Sequence, residues 1–252
     1  MNNKKWIPYP RYLFRKALAL ELVRQYVSKN ARFLEIGGGS GDFSVALIKR
    51  GLTGVVIDYS QYANEVMRTT IPPEYVDRLT IKQRDLFNLS NQEQYDLIVI
   101  FEVLEHIPED KKTIEKLFHL LKPGGYLLLS VPAKKKLWDH SDEVVGHIRR
   151  YEKKELITLL HKAGFQIIRF SSYGFPFLHL IKIIRRQFVR SHSSSSASEN
   201  TKKSGVNIIH IPVVGILLNS WTLAPFIQIS KLFQLFDLAE GYLCLAKKSR
   251  DE

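Results

Sequence analysis

The sequence predicts an α/β fold: a largely parallel sheet with helices on both faces. Three observations point there. Short apolar runs alternate with segments of helical periodicity from residue 32 onward, the run Leu97 to Phe101 is apolar at every position, and a glycine-rich junction joins the first run to a helix. Before the alternation begins, Arg11 to Val27 places Leu13, Ala17, Leu20 and Val23 at helical spacing, which reads as an amphipathic helix leading into the core.

The elements follow in order. Arg32 to Ile36 reads as a strand, Phe43 to Lys49 as a helix, and Gly54 to Ile57 as a second strand ending at Asp58. Gln61 to Thr69 is the next helix and Leu79 to Gln83 the third strand. Tyr95 to Phe101 suits a central strand buried on both sides, followed by a helix at Lys111 to Leu121 and a strand at Tyr126 to Val131. Lys153 to Ala163 reads as a helix closed by Gly164, and Phe165 to Phe170 as the sixth strand. The chain ends in one more strand, Gly241 to Ala246. Between these last two lie an apolar and basic stretch, Tyr173 to Arg190, a Ser-rich stretch, Ser191 to Gly205, and an apolar stretch, Val206 to Leu238, with Pro212 and Pro225. There are no internal repeats.

Composition narrows the class. With 252 residues, 45% hydrophobic and 25% charged, the chain can bury a full core and is too balanced to be disordered throughout. Its one cysteine, Cys244, excludes a disulfide framework and any multi-cysteine zinc site, which points to a reducing compartment. Lys4 and Lys5 are followed by Pro8, Pro10 and Arg11 and not by an apolar run, so no secretory signal is read and a cytoplasmic location is expected. The net charge of +12 favours anionic partners such as nucleic acid, lipid headgroups or a phosphorylated substrate, without choosing among them or excluding a merely solvated basic surface.

The segment Phe33-Leu34-Glu35-Ile36-Gly37-Gly38-Gly39-Ser40-Gly41 lets the backbone turn tightly between strand and helix and approach a ligand. A dinucleotide fingerprint would need a third glycine where Asp42 stands, and Glu35 would repel a pyrophosphate. Glu35 suits a ligand with a positive end, such as the sulfonium and ammonium of S-adenosylmethionine. Asp58, at the end of the second strand, can accept both ribose hydroxyls, and Asp85, after the third strand, can accept from an adenine amino group. Lys122-Pro123-Gly124-Gly125-Tyr126 turns a helix into the fifth strand.

With these motifs in this order, the sequence resembles the class I S-adenosylmethionine-dependent methyltransferases over about residues 30 to 170 plus the final strand. The resemblance implies a Rossmann-like seven-stranded sheet in the order 3-2-1-4-5-7-6, with strand 7 antiparallel, and a helical insertion between strands 6 and 7. It also implies that Glu35, Gly37, Gly39 and Gly41 line the methionine end of S-adenosylmethionine and that Asp58 holds the ribose. Tyr59 would flank the adenine, Asp85 and Leu86 would meet its edge, and Phe101 would offer a backbone carbonyl. The domain plan expected is an N-terminal helical segment, 1–30, a methyltransferase domain, 31–172 with 241–252, and a cap, 173–240, containing a flexible loop, 191–205.

Chemistry is expected after strands 4 and 5, at the carboxyl edge where open α/β sheets bind ligands. If a helix starts at Glu102, then Glu102, Glu105 and His106 share a face. This E-x-x-E-H spacing resembles a metal-assisted subset of the family that includes ubiquinone-pathway O-methyltransferases and small-RNA 2′-O-methyltransferases, with His147 as a fourth donor. Helix capping or packing explains the same residues, and the sequence alone assigns no metal site. The run Gly146-His147-Ile148-Arg149-Arg150-Tyr151 resembles a branch of bacterial small-molecule methyltransferases. His147 is the first candidate base, ahead of His140 and His106. Glu102, Trp138, Arg149, Arg150 and Tyr151 are the expected acceptor contacts, the arginines neutralising a phosphate or carboxylate unless they pair with Glu152 and Glu155 at the start of the helix.

In the insertion, Phe177, Leu180, Ile181, Ile184 and Phe188 recur on one helical face with Lys182, Arg185, Arg186 and Arg190 opposite or flanking, a pattern that suits an anionic membrane surface or a capping helix. Ser204 to Ser230 carries no charged residue, yet Asn207, His210 and two prolines argue for short helices over the substrate pocket and against a membrane span. The expectation is a methyltransferase acting on a small or lipid-like molecule, at oxygen, with peripheral attachment to the inner membrane face. The rivals are an RNA methyltransferase, disfavoured because no RNA-binding module is appended, and a non-catalytic membrane scaffold, disfavoured because every cofactor position is present.

Overall fold

The structure is a computed structural model and describes residues 8–180, 220–234 and 236–249. Seven strands form one sheet: β1 (Arg32–Ile36), β2 (Thr53–Asp58), β3 (Leu79–Gln83), β4 (Tyr95–Phe101), β5 (Leu121–Pro132), β6 (Phe165–Tyr173) and β7 (Gly241–Lys248). Their order is 3-2-1-4-5-7-6, and β7 runs antiparallel to both neighbours, as the resemblance implied. Among the described residues the α-helices are α1 (Pro10–Tyr26), α2 (Asp42–Lys49), α3 (Gln61–Thr70), α4 (Asp110–Leu120), α5 (His140–Val145), α6 (Lys153–Lys162) and α7 (Ser220–Lys231).

Alternation along the strands builds two cores, because successive side chains point to opposite faces of a sheet. Phe33, Val56, Leu97, Val99, Leu128 and Leu245 face the side covered by α1, α2, α3 and α7. Leu34, Ile57, Ile98, Ile100, Leu129 and Cys244 face the side covered by α4 and α6. Both faces of β4 are therefore buried, which is why its sequence reads as one unbroken apolar run.

Three expectations change in detail. β5 begins five residues before Tyr126: Leu121 pairs with Tyr95, the Pro-Gly-Gly turn bulges out with Gly124 at φ +77°, and pairing resumes at Leu97 with Tyr126. The segment expected as a loop after β5 contains α5, started by the Asp139 carboxylate accepting from Ser141 N and closed by Gly146 in the left-handed region. The N-terminal helix is no separate segment, since Leu13, Phe14, Leu18 and Val23 of α1 are buried in the first core. The Ser191 to Gly205 loop and most of the stretch from Phe177 to Arg190 lie outside the described residues.

Among the described residues, two other than glycine take left-handed backbone angles, Glu102 at φ +52° and Lys134 at φ +63°. Each stands just beyond the carboxyl end of β4 or β5, on the edge that receives ligands in such sheets.

Candidate active site

The glycine segment leaves β1 with Gly37, Gly39 and Gly41 at φ +71°, +54° and +76°, the region that side chains disfavour. Space is short as well: a Cβ on Gly37 would stand 2.3 Å from Val103 Cγ2, and one on Gly38 2.1 Å from Val56 Cγ2. The loop is thus clamped between β2 and the turn after β4. Behind it, Glu35 is buried and accepts a hydrogen bond from Ser44 Oγ of α2. Burial, only partly opposed by that bond, pushes its carboxyl up to about 7. Asp58 accepts from Gly39 N at 3.3 Å and Ser60 N at 2.9 Å, so one carboxylate ties the glycine loop to the turn after β2, and burial raises its pKa.

Farther along the same edge, Tyr59, Gln83, Arg84, Asp85 and Asn88 line an open recess of about 520 Å³. Tyr59 is more than half exposed there, Asp85 accepts from Phe87 N at 2.7 Å, and Leu86 is buried beneath. Phe101 ends β4 with its ring edge-on to Phe43 at 4.9 Å. The nine residues expected around a cofactor therefore occupy the carboxyl edge of β1, β2, β3 and β4.

No α-helix starts at Glu102. Its left-handed backbone turns the chain, and Leu104–His106 forms a single 3-10 turn, so Glu102 and Glu105 diverge. Glu102 faces α1, where Arg11 Nη2 lies at 2.8 Å and Arg15 Nη1 at 3.5 Å, and it also accepts from Ser130 Oγ and Tyr173 Oη. Burial opposes its charge, but the two guanidinium groups win and hold it at about 2. Glu105 points the other way. It is fully buried, neither carboxyl oxygen has a hydrogen-bond partner, and burial together with the charge of Glu102 raises its pKa well above the usual range.

The Glu105 carboxyl faces His147, whose Nε2 lies 3.5 Å from Oε1. His147 Nδ1 donates to Asp142 Oδ1 at 2.7 Å, and Arg150 grips the same carboxylate from Nε at 2.9 and 3.0 Å. Burial alone would raise Asp142, but these donors hold it at about 2. His106 donates from Nδ1 to Gly146 O at 2.9 Å, and its ring meets that of His147 edge-on at 4.9 Å. Both imidazoles are thus oriented through Nδ1, with Nε2 turned away from those partners and, in His147, toward Glu105. One donor atom each from Glu105, His106 and His147 lie within 4.8 Å of one another, a set that fits a divalent cation, with Asp142 and the Gly146 carbonyl as the outer supports. Glu102, the remaining member of the E-x-x-E-H pattern, is held elsewhere by the arginines.

The other expected acceptor contacts are placed differently. Arg149 pairs with Asp110 at 2.6 Å, Tyr151 Oη donates to Asp110 at 3.1 Å, and Arg150 is buried on Asp142. The run from His147 to Tyr151 is therefore an ion-paired hub holding α4 and α5 together, and its partners are Asp110 and Asp142 where the sequence suggested Glu152 and Glu155. Arg150 is a buried charge that is costly to unpair from Asp142, and Tyr151 already spends its hydroxyl on Asp110. His140 is largely exposed at the start of α5, 3.4 Å from Glu143, and Trp138 is partly exposed just before it. Sequence reasoning missed Arg11, Arg15, Tyr12 and Lys16. The spacing of the arginines on one face of α1 was visible, but nothing local names Glu102 as their partner. Tyr12 and Lys16 reach Asp42 at the start of α2, and Arg15 lies over the Phe101 ring at 5.1 Å, so α1 lies across the edge beside the glycine loop and the end of β4.

Sheet order, glycine cradle and acidic strand ends together define a Rossmann-like methyltransferase architecture. The chain belongs to the family described as "Methyltransferase domain", which matches residues 9–169. It is 28% identical over 122 residues to a ubiquinone biosynthesis O-methyltransferase of Coxiella burnetii, a match covering 48% of this chain and 52% of that one. The chain thus spans about half the length of such curated relatives. Among solved structures, magnesium protoporphyrin IX methyltransferase from Synechocystis, with bound S-adenosylhomocysteine, superimposes with a TM-score of 0.58 at 14% identity, covering 95% of this chain and 84% of that one. The [4+2]-cyclase SpnF superimposes with a TM-score of 0.63 at 16% identity, covering 94% and 81%. These likenesses establish the fold; the cyclase is a reminder that chemistry resides in the site.

Proposed function

We propose that this protein transfers the methyl group of S-adenosylmethionine to an oxygen of a small or lipid-like acceptor. Support for the cofactor comes from the family and from the residues that fit it: a glycine cradle that a Cβ would fill, Glu35 beneath it and Asp58 beside it. Support for oxygen comes from the name of the Coxiella relative and, above all, from one observation. His147, backed by Asp142, sits against the unpartnered carboxyl of Glu105 on the turn whose Val103 packs on the glycine cradle.

In this reading the acceptor hydroxyl gives its proton to His147 Nε2 while its oxygen attacks the methyl carbon, and the carbon–sulfur bond breaks to leave the neutral thioether. The sulfonium has already activated the carbon, so alignment and proton removal are the protein's tasks. Glu105, His106 and His147 could instead hold a divalent cation, which when bound would occupy the imidazole and, in place of a histidine base, lower the pKa of that hydroxyl.

The test is mass spectrometry of metabolite, lipid and RNA fractions incubated with the protein and methyl-labelled S-adenosylmethionine. Label in a hydroxyl-bearing small molecule or lipid is the expected result. Label confined to RNA would establish the rival substrate class, and binding of S-adenosylhomocysteine with no transfer to any fraction would leave a non-catalytic protein.

A further inference from the structure

α7 turns Leu223, Ile227 and Ser230 inward and leaves an apolar stripe outward, with Phe226 41% and Ile229 46% exposed, and Leu232, just past its end, 74% exposed. The stripe continues into the following turn with Phe236 and Leu238, both about half exposed. Single exposed apolar residues are ordinary, but five on one helix face and its adjoining turn are not. They also stand on a firm base. Phe226 stacks on Phe177 at 4.3 Å and Phe177 on Phe14 of α1 at 6.0 Å, so the stripe is anchored to the first core. Ser230 Oγ accepts from Gly174 N, Phe236 O accepts from Ser172 Oγ, and Asp237 takes both Lys134 and Tyr242 Oη, so α7 and its turn are fastened to the ends of β5, β6 and β7.

We propose that this stripe is a docking surface for an anionic lipid bilayer. Charge selects the occupant. α7 has no acidic residue, and the sequence from Ile181 to Asn219 that precedes it carries six Lys or Arg and one acidic residue, Glu199. Apolar side chains flanked by basic sequence favour headgroups of negative charge over a neutral surface or a second copy of a chain that is itself at +12. No helix among the described residues is long and apolar enough to cross a membrane, so attachment would be at the surface. The stripe borders the candidate active site, since Arg11 donates to Glu240 O in the same turn while also holding Glu102. A docked molecule would present that edge of the sheet to the lipid.

The experiment is co-sedimentation of the full chain with phosphatidylglycerol-containing and with pure phosphatidylcholine vesicles, at low and high salt. An Ile229→Asp/Leu232→Asp variant is compared with wild type, and S-adenosylhomocysteine binding checks that the variant is folded. The proposal expects binding to anionic vesicles that falls as salt screens it, little binding to neutral ones, and at least tenfold weaker binding by the variant. It is overturned if wild type ignores anionic vesicles at low salt, or if the variant binds them as wild type does. Should wild type be a dimer in solution and the folded variant a monomer that has lost no vesicle affinity, the stripe is a self-interface. Failure here leaves the methyl-transfer reading untouched, because that is measured by label transfer from solution.

Discussion

Glu35 and Asp58 show how one functional group, the carboxyl, serves two ends. Asp58 offers its carboxylate to two backbone donors and stands at the end of β2, where an ionised acceptor can take ribose hydroxyls. Its replacement by alanine is expected to weaken S-adenosylhomocysteine binding by about 1–3 kcal/mol in isothermal titration, the worth of a hydrogen bond to a charged group. Glu35 is held at about 7, above its unfolded value of 4.5. In the unfolded chain it loses its proton first, so its contribution to stability is neutral below about pH 4.5 and becomes unfavourable as pH rises toward 7, reaching roughly 3 kcal/mol. Glu35→Gln should therefore raise the melting temperature of the ligand-free protein at pH 8 and leave it unchanged near pH 4, while lowering cofactor affinity. Asp142 acts through His147. With Asp142→Asn the imidazole loses the acceptor-only carboxylate that fixes its tautomer, since an amide can turn either its oxygen or its NH2 toward Nδ1, and methyl transfer should fall about 10- to 100-fold with cofactor affinity unchanged, the usual cost of removing such a support. An equal loss in Asp142→Asn and in cofactor binding would place Asp142 in the folding of the edge and not behind the base.

At the level of elements, α1 deserves its place in the catalytic domain on packing alone. Phe14 is fully buried, and Phe14→Ala should cost about 3–5 kcal/mol in denaturant unfolding, because little around it can collapse into the cavity. A loss below about 1 kcal/mol would mean that α1 is only loosely docked. Periodicity made this helix legible, as it did β4, whose unbroken apolar run follows from burial on both faces. It could not show the helix lying across the ligand edge. α5 was harder still, since six residues carry too little period to stand out. Its signal was chemical: Asp139, three residues before Asp142, is a helix-start pattern, and Gly146 supplies the left-handed close. The turn after β4 went the other way. A helical reading of E-x-x-E-H puts both glutamates on one face, and the positive φ at Glu102 separates them, sending one to the arginines and the other to the histidines.

Across the whole molecule, the candidate site is shared by a cradle at β1 and β2, a turn after β4 and the N-terminal helix α1, so a ligand bound there should stabilise all of them together. At a hundredfold excess over its dissociation constant, S-adenosylhomocysteine should add about 2.7 kcal/mol, and for a chain of this size that is a rise of roughly 5–10 °C in melting temperature. Scanning calorimetry with and without the ligand measures it, and no shift at saturation would argue against the cofactor assignment.

From the sequence alone came the sheet with its seven strands, the glycine cradle and the acids at successive strand ends, because each rests on local physics: the two-residue period of a strand, the backbone freedom of glycine and the chemistry of a strand-to-helix turn. Strand order 3-2-1-4-5-7-6 came through resemblance. Only the tertiary structure decided which charges meet. Arg11 and Arg15 find Glu102, Arg149 and Tyr151 find Asp110, and Arg150 and His147 find Asp142. A charged side chain in a sequence has a sign but no direction, and its partner is fixed only when packing has brought distant elements together and burial has made an unpaired charge too costly to keep.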